Sequence, residues 1–169
     1  GIHFLKEDRN ALQAFKLANH AILSQQVRTK RYKDDDREWI LGDDKRERPK
    51  IEYVEPDLLD TQRRIGKWRP FQMAFILSSL QSTVLDDDKY RDNVELIFFP
   101  TGGGKTEAYL GLIAFLGLYK RITDKEHHGV DVIMRYTLRL LTTQQFTRAA
   151  SLICAMEKIR RDNIDLLGE

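Results

Sequence analysis

Three consecutive glycines followed by Lys105 and Thr106 restrict the possible folds of this chain more than any other feature. The glycines occupy positions 102–104, and before them an apolar run, Val94–Phe99, ends at Pro100. An apolar run of this length closed by proline predicts a strand that is buried on both faces, as in a parallel sheet. After the glycines, a stretch of helix-forming residues begins at Lys105. The sequence therefore predicts a strand, a glycine loop and a helix in direct succession.

The loop has the composition that phosphate binding requires. Glycines leave the backbone N–H groups free to converge on an anion, and they permit the positive φ angles that wrap a chain around it. The positive end of the following helix points at the same place. In such a loop Lys105 reaches the β- and γ-phosphates as the catalytic residue, and the Thr106 hydroxyl binds Mg²⁺. We therefore predict ATP and Mg²⁺ as cofactors. The predicted cofactor-binding residues of the loop are Thr101, Gly102, Gly103, Gly104, Lys105, Thr106 and Glu107.

The loop departs from the usual phosphate-binding pattern at one position. Phe99 stands where that pattern has a glycine. A glycine-rich turn without a ligand is the alternative interpretation. The predicted strand before the loop and the predicted helix after it favour nucleotide binding.

A second candidate element, Trp68–Gln72, lies upstream of the loop. Pro70 suits the first position of a helix, which the sequence predicts over Phe71–Val84. The Gln72 amide offers a donor and an acceptor side by side, which matches the N6 and N7 edge of adenine, and Arg69 can stack on the base. The alternative is a helix start with an aromatic anchor. The nearby phosphate loop favours adenine recognition, so Gln72 and Arg69 join the predicted cofactor-binding residues.

A second apolar run, Val130–Met134, predicts another buried strand, and a long helix is predicted over Leu140–Arg161. Loops at the carboxyl ends of strands form the working surface of open α/β sheets. Arginines, hydroxyls and an amide in this region suit phosphodiester oxygens. The predicted nucleic-acid-binding residues are Arg135, Thr137, Arg139 and Gln144.

Local charge favours the same interpretation, although the net charge of the whole chain is only +2. Between Val132 and Arg161 the one acidic residue is Glu157. The basic residues of that span are Arg135, Arg139, Arg148, Lys158, Arg160 and Arg161. This excess of positive charge favours contact with a nucleic-acid backbone, whereas a solvated helix face is the alternative.

The chain divides into three predicted parts. Residues 1–27 form an N-terminal helical segment with a helix over residues 8–27, residues 28–66 a charged linker, and residues 67–169 the start of an α/β nucleotide-binding domain. No apolar run approaches the roughly 20 residues that cross a bilayer. The single cysteine, Cys154, excludes an internal disulfide, so a cytoplasmic location is expected.

These motifs resemble those of superfamily 2 helicases. Pro100–Thr106 resembles motif I of that superfamily, Arg69–Gln72 resembles the Q motif, and Thr137–Gln144 resembles motif Ia. More narrowly, the segments around these motifs resemble the helicase subunits of the bacterial DISARM anti-phage system. Residues 67–157 carry nearly all of this resemblance.

The resemblance implies a RecA-like motor domain with a parallel sheet, ATP and Mg²⁺ as cofactors, and DNA, rather than RNA, as the track. In the narrower family it implies a cytoplasmic defence role with a partner protein. Hydrolysis requires a carboxylate on a later strand, and none is evident after Arg139. We therefore expect the chain to end partway through the first motor domain and to be inactive alone, whereas the full-length protein hydrolyses ATP. A nucleotide-dependent switch or signalling ATPase without a nucleic-acid role is the alternative.

Overall fold

The structure is a computed structural model that describes residues 1–31, 38–50, 57–58, 66–100, 102–135 and 139–169. Helices dominate these residues, with one short antiparallel hairpin. In chain order the elements are α1 (Ile2–Glu7), α2 (Arg9–Arg31), β1 (Trp39–Leu41), β2 (Glu47–Pro49), α3 (Pro70–Val84), α4 (Lys105–Thr123), α5 (Arg139–Asp162) and α6 (Ile164–Leu167).

The helices predicted from the sequence pattern are confirmed. α2 begins directly after Asp8, whose carboxylate accepts a hydrogen bond from the backbone N–H of Ala11 at 2.9 Å and so caps the helix. α3 begins at Pro70, as the fixed φ of proline favours. α4 begins at Lys105, and α5 covers the span predicted for the long second helix.

α4 forms the centre of the hydrophobic core and packs against α2, α3 and α5. α2 faces it with a row of small residues at helical spacing, which lets the two backbones approach closely. These buried residues are Ala11, Ala14, Ala18 and Ala21. Larger apolar side chains fill the rest of the core from α4, among them Leu110, Phe115 and Leu118. The glycine loop therefore leads directly into a helix that is anchored in the hydrophobic core.

The prediction of a parallel sheet, and of a RecA-like α/β domain built on it, is wrong for the described residues. Neither Val94–Phe99 nor Val130–Met134 forms a strand, and both segments are largely exposed: Phe98 is 94% exposed and Ile133 is 85% exposed. A buried strand needs neighbouring strands to accept and donate its backbone hydrogen bonds. Among the described residues neither segment has such a neighbour, because the sole sheet pairs β1 with β2.

The predicted division into three parts remains a prediction. β1 and β2 lie within the predicted charged linker, and their antiparallel register pairs Ile40 with Arg48. α2 shares one core with α4 and α5, so the N-terminal helical segment packs directly on the helix that follows the loop. None of the helices in the described ranges combines the length and apolar character that spanning a membrane requires.

Candidate functional site

The glycine loop adopts backbone angles that most other residues avoid. Gly102 has φ of 80° and Gly104 has φ of 86°, both in the left-handed region. The N–H of Gly103 donates a hydrogen bond to the Pro100 carbonyl at 3.2 Å, which closes the turn. Gly104 precedes the first residue of the 19-residue helix α4, so the loop lies at the positive end of that helix.

Lys105 and Thr106 form the start of α4, as the phosphate-loop pattern predicts. The ammonium group of Lys105 folds back on the loop and donates hydrogen bonds to the carbonyl oxygens of Phe99 and Pro100, the latter at 3.2 Å. Because these partners are neutral carbonyls, phosphate oxygens can replace them with a gain in charge complementarity. Thr106 is half-buried beside Lys105. Thr101 lies outside the described residues.

Phe99 occupies the position at which the usual motif has a glycine. Its ring stacks on Phe71 of α3 with a centroid separation of 3.9 Å and an angle of 15° between the planes. Offset or stacked aromatic pairs of this kind are favourable packing contacts. The departure from the motif therefore adds a contact between the entrance of the loop and α3.

Two residues at the start of α3 hold the loop in place. Nη1 of Arg69 donates a hydrogen bond to the Gly103 carbonyl at 2.9 Å, and Nε2 of Gln72 donates one to the Gly104 carbonyl at 2.7 Å. The Gln72 Oε1 in turn accepts a hydrogen bond from the Arg69 backbone N–H at 2.8 Å. The two residues predicted to recognise adenine thus lie against the loop, where they bind its backbone. Their adenine contact remains a prediction.

A cleft of about 450 Å³ opens beside the loop. Gly102 and Gly104 line one side of it, and α2 lines another with Asn19 and Gln26. Volumes of this order are typical of small-molecule sites. A ligand that places an anionic group on the loop therefore has room for a larger body between the loop and α2.

Trp68 connects the walls of this cleft. Its Nε1 donates a hydrogen bond to Oδ1 of Asn19 on α2 at 2.6 Å. The far edge of its ring lies so close to Gly111 of α4 that an added Cβ there would be 2.8 Å away. The indole is thus fixed between α2 and α4. Sequence reasoning did not identify Asn19 or Gln26 as site residues, since nothing in an amphipathic helix marks which of its polar residues faces a cleft.

Glu107 joins the loop to α5. Its carboxylate forms an ion pair with the Arg148 guanidinium, and the side chains are 25% and 30% exposed. Burial lowers the pKa of Arg148. The Arg148 carbonyl also accepts a hydrogen bond from Nε2 of Gln25 on α2 at 3.4 Å. In the sequence Arg148 contributes to the positive excess that favours contact with nucleic acid, but in the structure its guanidinium pairs with the Glu107 carboxylate beside the candidate anion site.

The predicted nucleic-acid-binding residues lie around the start of α5. Arg135 and Gln144 are exposed. Arg139 is the first residue of α5, and its side chain lies outside the described part of the structure, as does all of Thr137. Their role remains a prediction.

The basic residues near the end of α5 form ion pairs within their own helix. Arg160 and Arg161 both donate hydrogen bonds to Glu157, which lower the pKa of that carboxyl to about 2. Lys158 pairs with Asp162 at 3.1 Å. The positive excess counted along this stretch of sequence is therefore partly neutralised by neighbouring carboxylates.

Comparison with known proteins extends the resemblance beyond the motifs. No model of a known protein family matches the chain. The chain is 41% identical, over 169 aligned residues, to the DISARM protein DrmA of Bacillus paralicheniformis. This alignment covers 95% of the chain, and so extends well beyond residues 67–157, but only 14% of the relative. The chain is thus similar to a short part of DrmA over nearly all of its own length, including α2 and the cleft.

Proposed function

We propose that this chain is the ATP-binding portion of an ATP-dependent DNA helicase or translocase in a bacterial phage-defence system. The observation that carries the proposal is the glycine loop at the start of α4. Gly102 and Gly104 have backbone angles in the left-handed region, and the carbonyls of Gly103 and Gly104 accept hydrogen bonds from Arg69 and Gln72. A cleft opens beside the loop. These features suit a site for the triphosphate of a nucleotide.

In the proposed complex the backbone N–H groups of Gly102, Gly104 and Lys105 donate to phosphate oxygens, while the N–H of Gly103 stays bonded to the Pro100 carbonyl. Lys105 exchanges its two carbonyl partners for the β- and γ-phosphates, and Thr106 binds Mg²⁺ through its hydroxyl. Because hydrogen bonds from α3 already fix the loop, little ordering accompanies binding. The carboxylate of Glu107 stands next to this anion site, and its ion pair with Arg148 offsets the repulsion.

The defence role rests on the similarity to the DISARM protein DrmA. We propose that the chain acts in the same type of system, in the cytoplasm and together with other proteins of that system. The chain spans 14% of this relative, so hydrolysis of ATP and movement on DNA are proposed for the whole protein. Arg135, Thr137, Arg139 and Gln144 are proposed to contact the DNA backbone.

A nucleotide-dependent switch without a nucleic-acid role is the second candidate. It is favoured by the ion pairs of α5, because Arg148, Arg160 and Arg161 are all engaged with carboxylates. A helix whose cations are paired attracts a polyanion less than its composition indicates. Substitutions of the exposed Arg135 and of Arg139 at the start of α5 therefore distinguish the helicase from the switch.

The test is DNA-stimulated ATP hydrolysis by the intact protein that carries this chain. We expect Arg135→Ala and Arg139→Ala to reduce the stimulation by DNA while nucleotide binding is retained. Lys158→Ala, which removes a cation paired with Asp162, is the matched control and should leave stimulation unchanged. Full stimulation in the two arginine variants would favour the switch. Loss of all hydrolysis in Lys105→Ala is expected under both.

A further inference from the structure

We propose that the free edge of β1 is a dimerisation surface, on which a second copy of this chain pairs through the same residues, Trp39, Ile40 and Leu41. The inference is independent of nucleotide binding at the glycine loop. It follows from three observations: the hairpin stands apart from the helical core, one of its edges has open hydrogen-bonding groups, and that edge is complementary to itself.

The hairpin of β1 and β2 has apolar side chains without a core to bury them. Within the described ranges neither strand packs against a helix. Trp39, Ile40 and Leu41 are all half exposed or more, and they point alternately to the two faces of the strand. An isolated two-stranded hairpin is only marginally stable in water, whereas further strands that bury an apolar face stabilise it. The composition of β1 therefore favours pairing with a further strand.

The hydrogen bonds of the hairpin determine which backbone groups remain free. The N–H of Lys50 donates to the Glu38 carbonyl at 2.8 Å. At the other end of the ladder the N–H of Gly42 donates to the Arg46 carbonyl at 2.9 Å. Since hydrogen-bonded pairs alternate with open pairs in an antiparallel ladder, the backbone groups of Ile40 also face β2. Those of the residues on either side of Ile40 face outwards.

The two edges of the hairpin differ in what they offer. On β1 the outward-facing residues are Trp39 and Leu41, each with both an N–H and a C=O group. On β2 they are Glu47 and Pro49, and a proline has no N–H to donate. Proline on an edge strand is a common protection against pairing with another chain. In the part of the chain that the structure describes, no third strand joins the sheet, so β1 is the edge open to one.

The open edge is complementary to itself. Two antiparallel copies of β1 related by a two-fold axis at Ile40 bring Trp39 of each copy opposite Leu41 of the other. Both pairs are then hydrogen-bonded, so that every N–H and C=O group of these two residues is engaged. On one face an aromatic ring meets an aliphatic side chain in each pair, and on the other face the two Ile40 side chains meet. One pairing thus satisfies the free edge and covers its apolar residues.

The charges beside the edge also fit a second copy. In this register Glu38 of one copy stands opposite Gly42 of the other, and Arg46 is the next residue across the sheet. Arg46 is exposed, and among the described residues its side chain pairs with no carboxylate. The Glu38 carboxylate binds Lys50 of its own copy through Oε2 and can use Oε1 for Arg46. The Asp44 carboxylate beside Gly42 is already engaged in an ion pair of its own hairpin.

The size of the surface sets the expected strength of the dimer. Three side chains and a short ladder bury less than the roughly 1,200 Å² that is typical of a stable complex. We therefore expect a weak dimer, with a Kd on the order of 100 μM.

The test is sedimentation equilibrium of the chain at concentrations on either side of this Kd. Leu41→Pro removes an outward N–H and leaves every backbone hydrogen bond between β1 and β2 in place, so the Kd should rise by about tenfold or more. Glu47→Pro is the matched control, because it removes the outward N–H of the directly opposite residue on the β2 edge. It should dimerise as the unaltered chain does.

The register is tested by oxidation of Ile40→Cys in a Cys154→Ser background. At the two-fold axis the paired residues are not hydrogen-bonded to each other, so their Cα atoms lie about 4.5 Å apart, within the range of a disulfide. A disulfide-linked dimer is expected. Arg48→Cys in the same background lies on the same face but on β2, about 14 Å from its counterpart, and should stay unlinked.

Three results would overturn the proposal. A chain that is monomeric at all concentrations would mean that β1 pairs with another part of the intact protein, with another protein, or with nothing. Unchanged dimerisation of Leu41→Pro would place the contact elsewhere. If Leu41→Pro were to disrupt the hairpin itself, the cross-link would decide, because a dimer that fails to link through Ile40→Cys has a different interface.

Discussion

The helical core and the two apolar segments, residues 94–99 and 130–134, have similar composition and very different surroundings. In the core, Phe115 of α4 is fully buried among residues of several helices. In the first segment, Phe98 is 94% exposed. The apolar composition of both segments predicts buried strands. The difference shows that apolar composition brings burial only where the chain also supplies packing partners.

The loop lies at the border between these two regions. On one side it follows the exposed segment that ends at Pro100, and on the other it leads into α4, the central helix of the core. Hydrogen bonds from Arg69 and Gln72 connect it to the helical side. The candidate site is therefore held by contacts with the helices, and its support does not depend on the predicted parallel sheet.

The largest expected effect is a difference in the free energy of unfolding between variants of two phenylalanines. Phe115→Ala should lower the free energy of unfolding by about 3–5 kcal/mol, because it leaves a cavity in the core. Phe98→Ala removes an exposed side chain and should change it by less than about 0.5 kcal/mol. Urea denaturation of both variants measures the difference. Similar losses in the two variants would mean that the segment containing Phe98 is buried in solution.

A smaller effect is expected at the glycines of the loop. Gly104→Ala should destabilise the chain by about 1–3 kcal/mol, since it places a side chain at positive φ and within 2.8 Å of the Gln72 amide. Gly102→Ala is the matched control, because φ is also positive there but no atom of the described residues lies within 4 Å of the added Cβ. Thermal unfolding should show the greater loss for Gly104→Ala. Equal losses would mean that contact with Gln72 does not hold the loop.

The Glu107–Arg148 ion pair should couple more strongly than an exposed pair. A double-mutant cycle with Glu107→Gln and Arg148→Gln should give a coupling energy of about 1 kcal/mol, since both side chains are largely buried between helices. The same cycle on Lys158 and Asp162, which are 51% and 59% exposed, should give about 0.3 kcal/mol. A coupling at Glu107 no larger than at Lys158 would contradict the contact between α4 and α5.

Tyr119 provides a test that depends on pH. Burial, and then the hydrogen bond to and the charge of Asp8, raise the pKa of Tyr119 from 10.0 to about 12. Because the folded state holds this proton more tightly than the unfolded state, the stabilisation is complete below pH 10 and is lost as the pH rises towards 12. Tyr119→Phe should therefore show a weaker loss of stability over this interval. Parallel curves of unfolding free energy against pH for the two proteins would contradict the contact with Asp8.

The sequence predicted the helices well because the signals for a helix are local. Asp8 caps α2 and Pro70 starts α3 through interactions within a few residues, and the alanines of α2 recur at the spacing that places them on one face. The two strand predictions are wrong because a strand needs hydrogen-bonding neighbours that are remote in sequence. A short apolar run such as Val94–Phe99 carries no information about whether those neighbours are present.

The site shows the same division between local and remote information. The positive φ angles of Gly102 and Gly104 and the position of Lys105 at the start of α4 agree with the loop pattern. The contacts of Gln26 and Arg148 could not be predicted, because each depends on which face of a helix meets a distant element. Arg148 in particular counts as surface charge in the sequence and as the partner of Glu107 in the structure.

The most direct test of the central claim is the affinity of this chain for ATP with Mg²⁺, measured by calorimetry for the unaltered chain and for Lys105→Ala. We predict one bound nucleotide per chain and a loss of about 10- to 100-fold in affinity when the ammonium group is removed, as for a charge-assisted hydrogen bond to phosphate. Lys158→Ala should bind as the unaltered chain does. No binding by the unaltered chain, or equal binding by Lys105→Ala, would contradict the assignment of the glycine loop as a phosphate site.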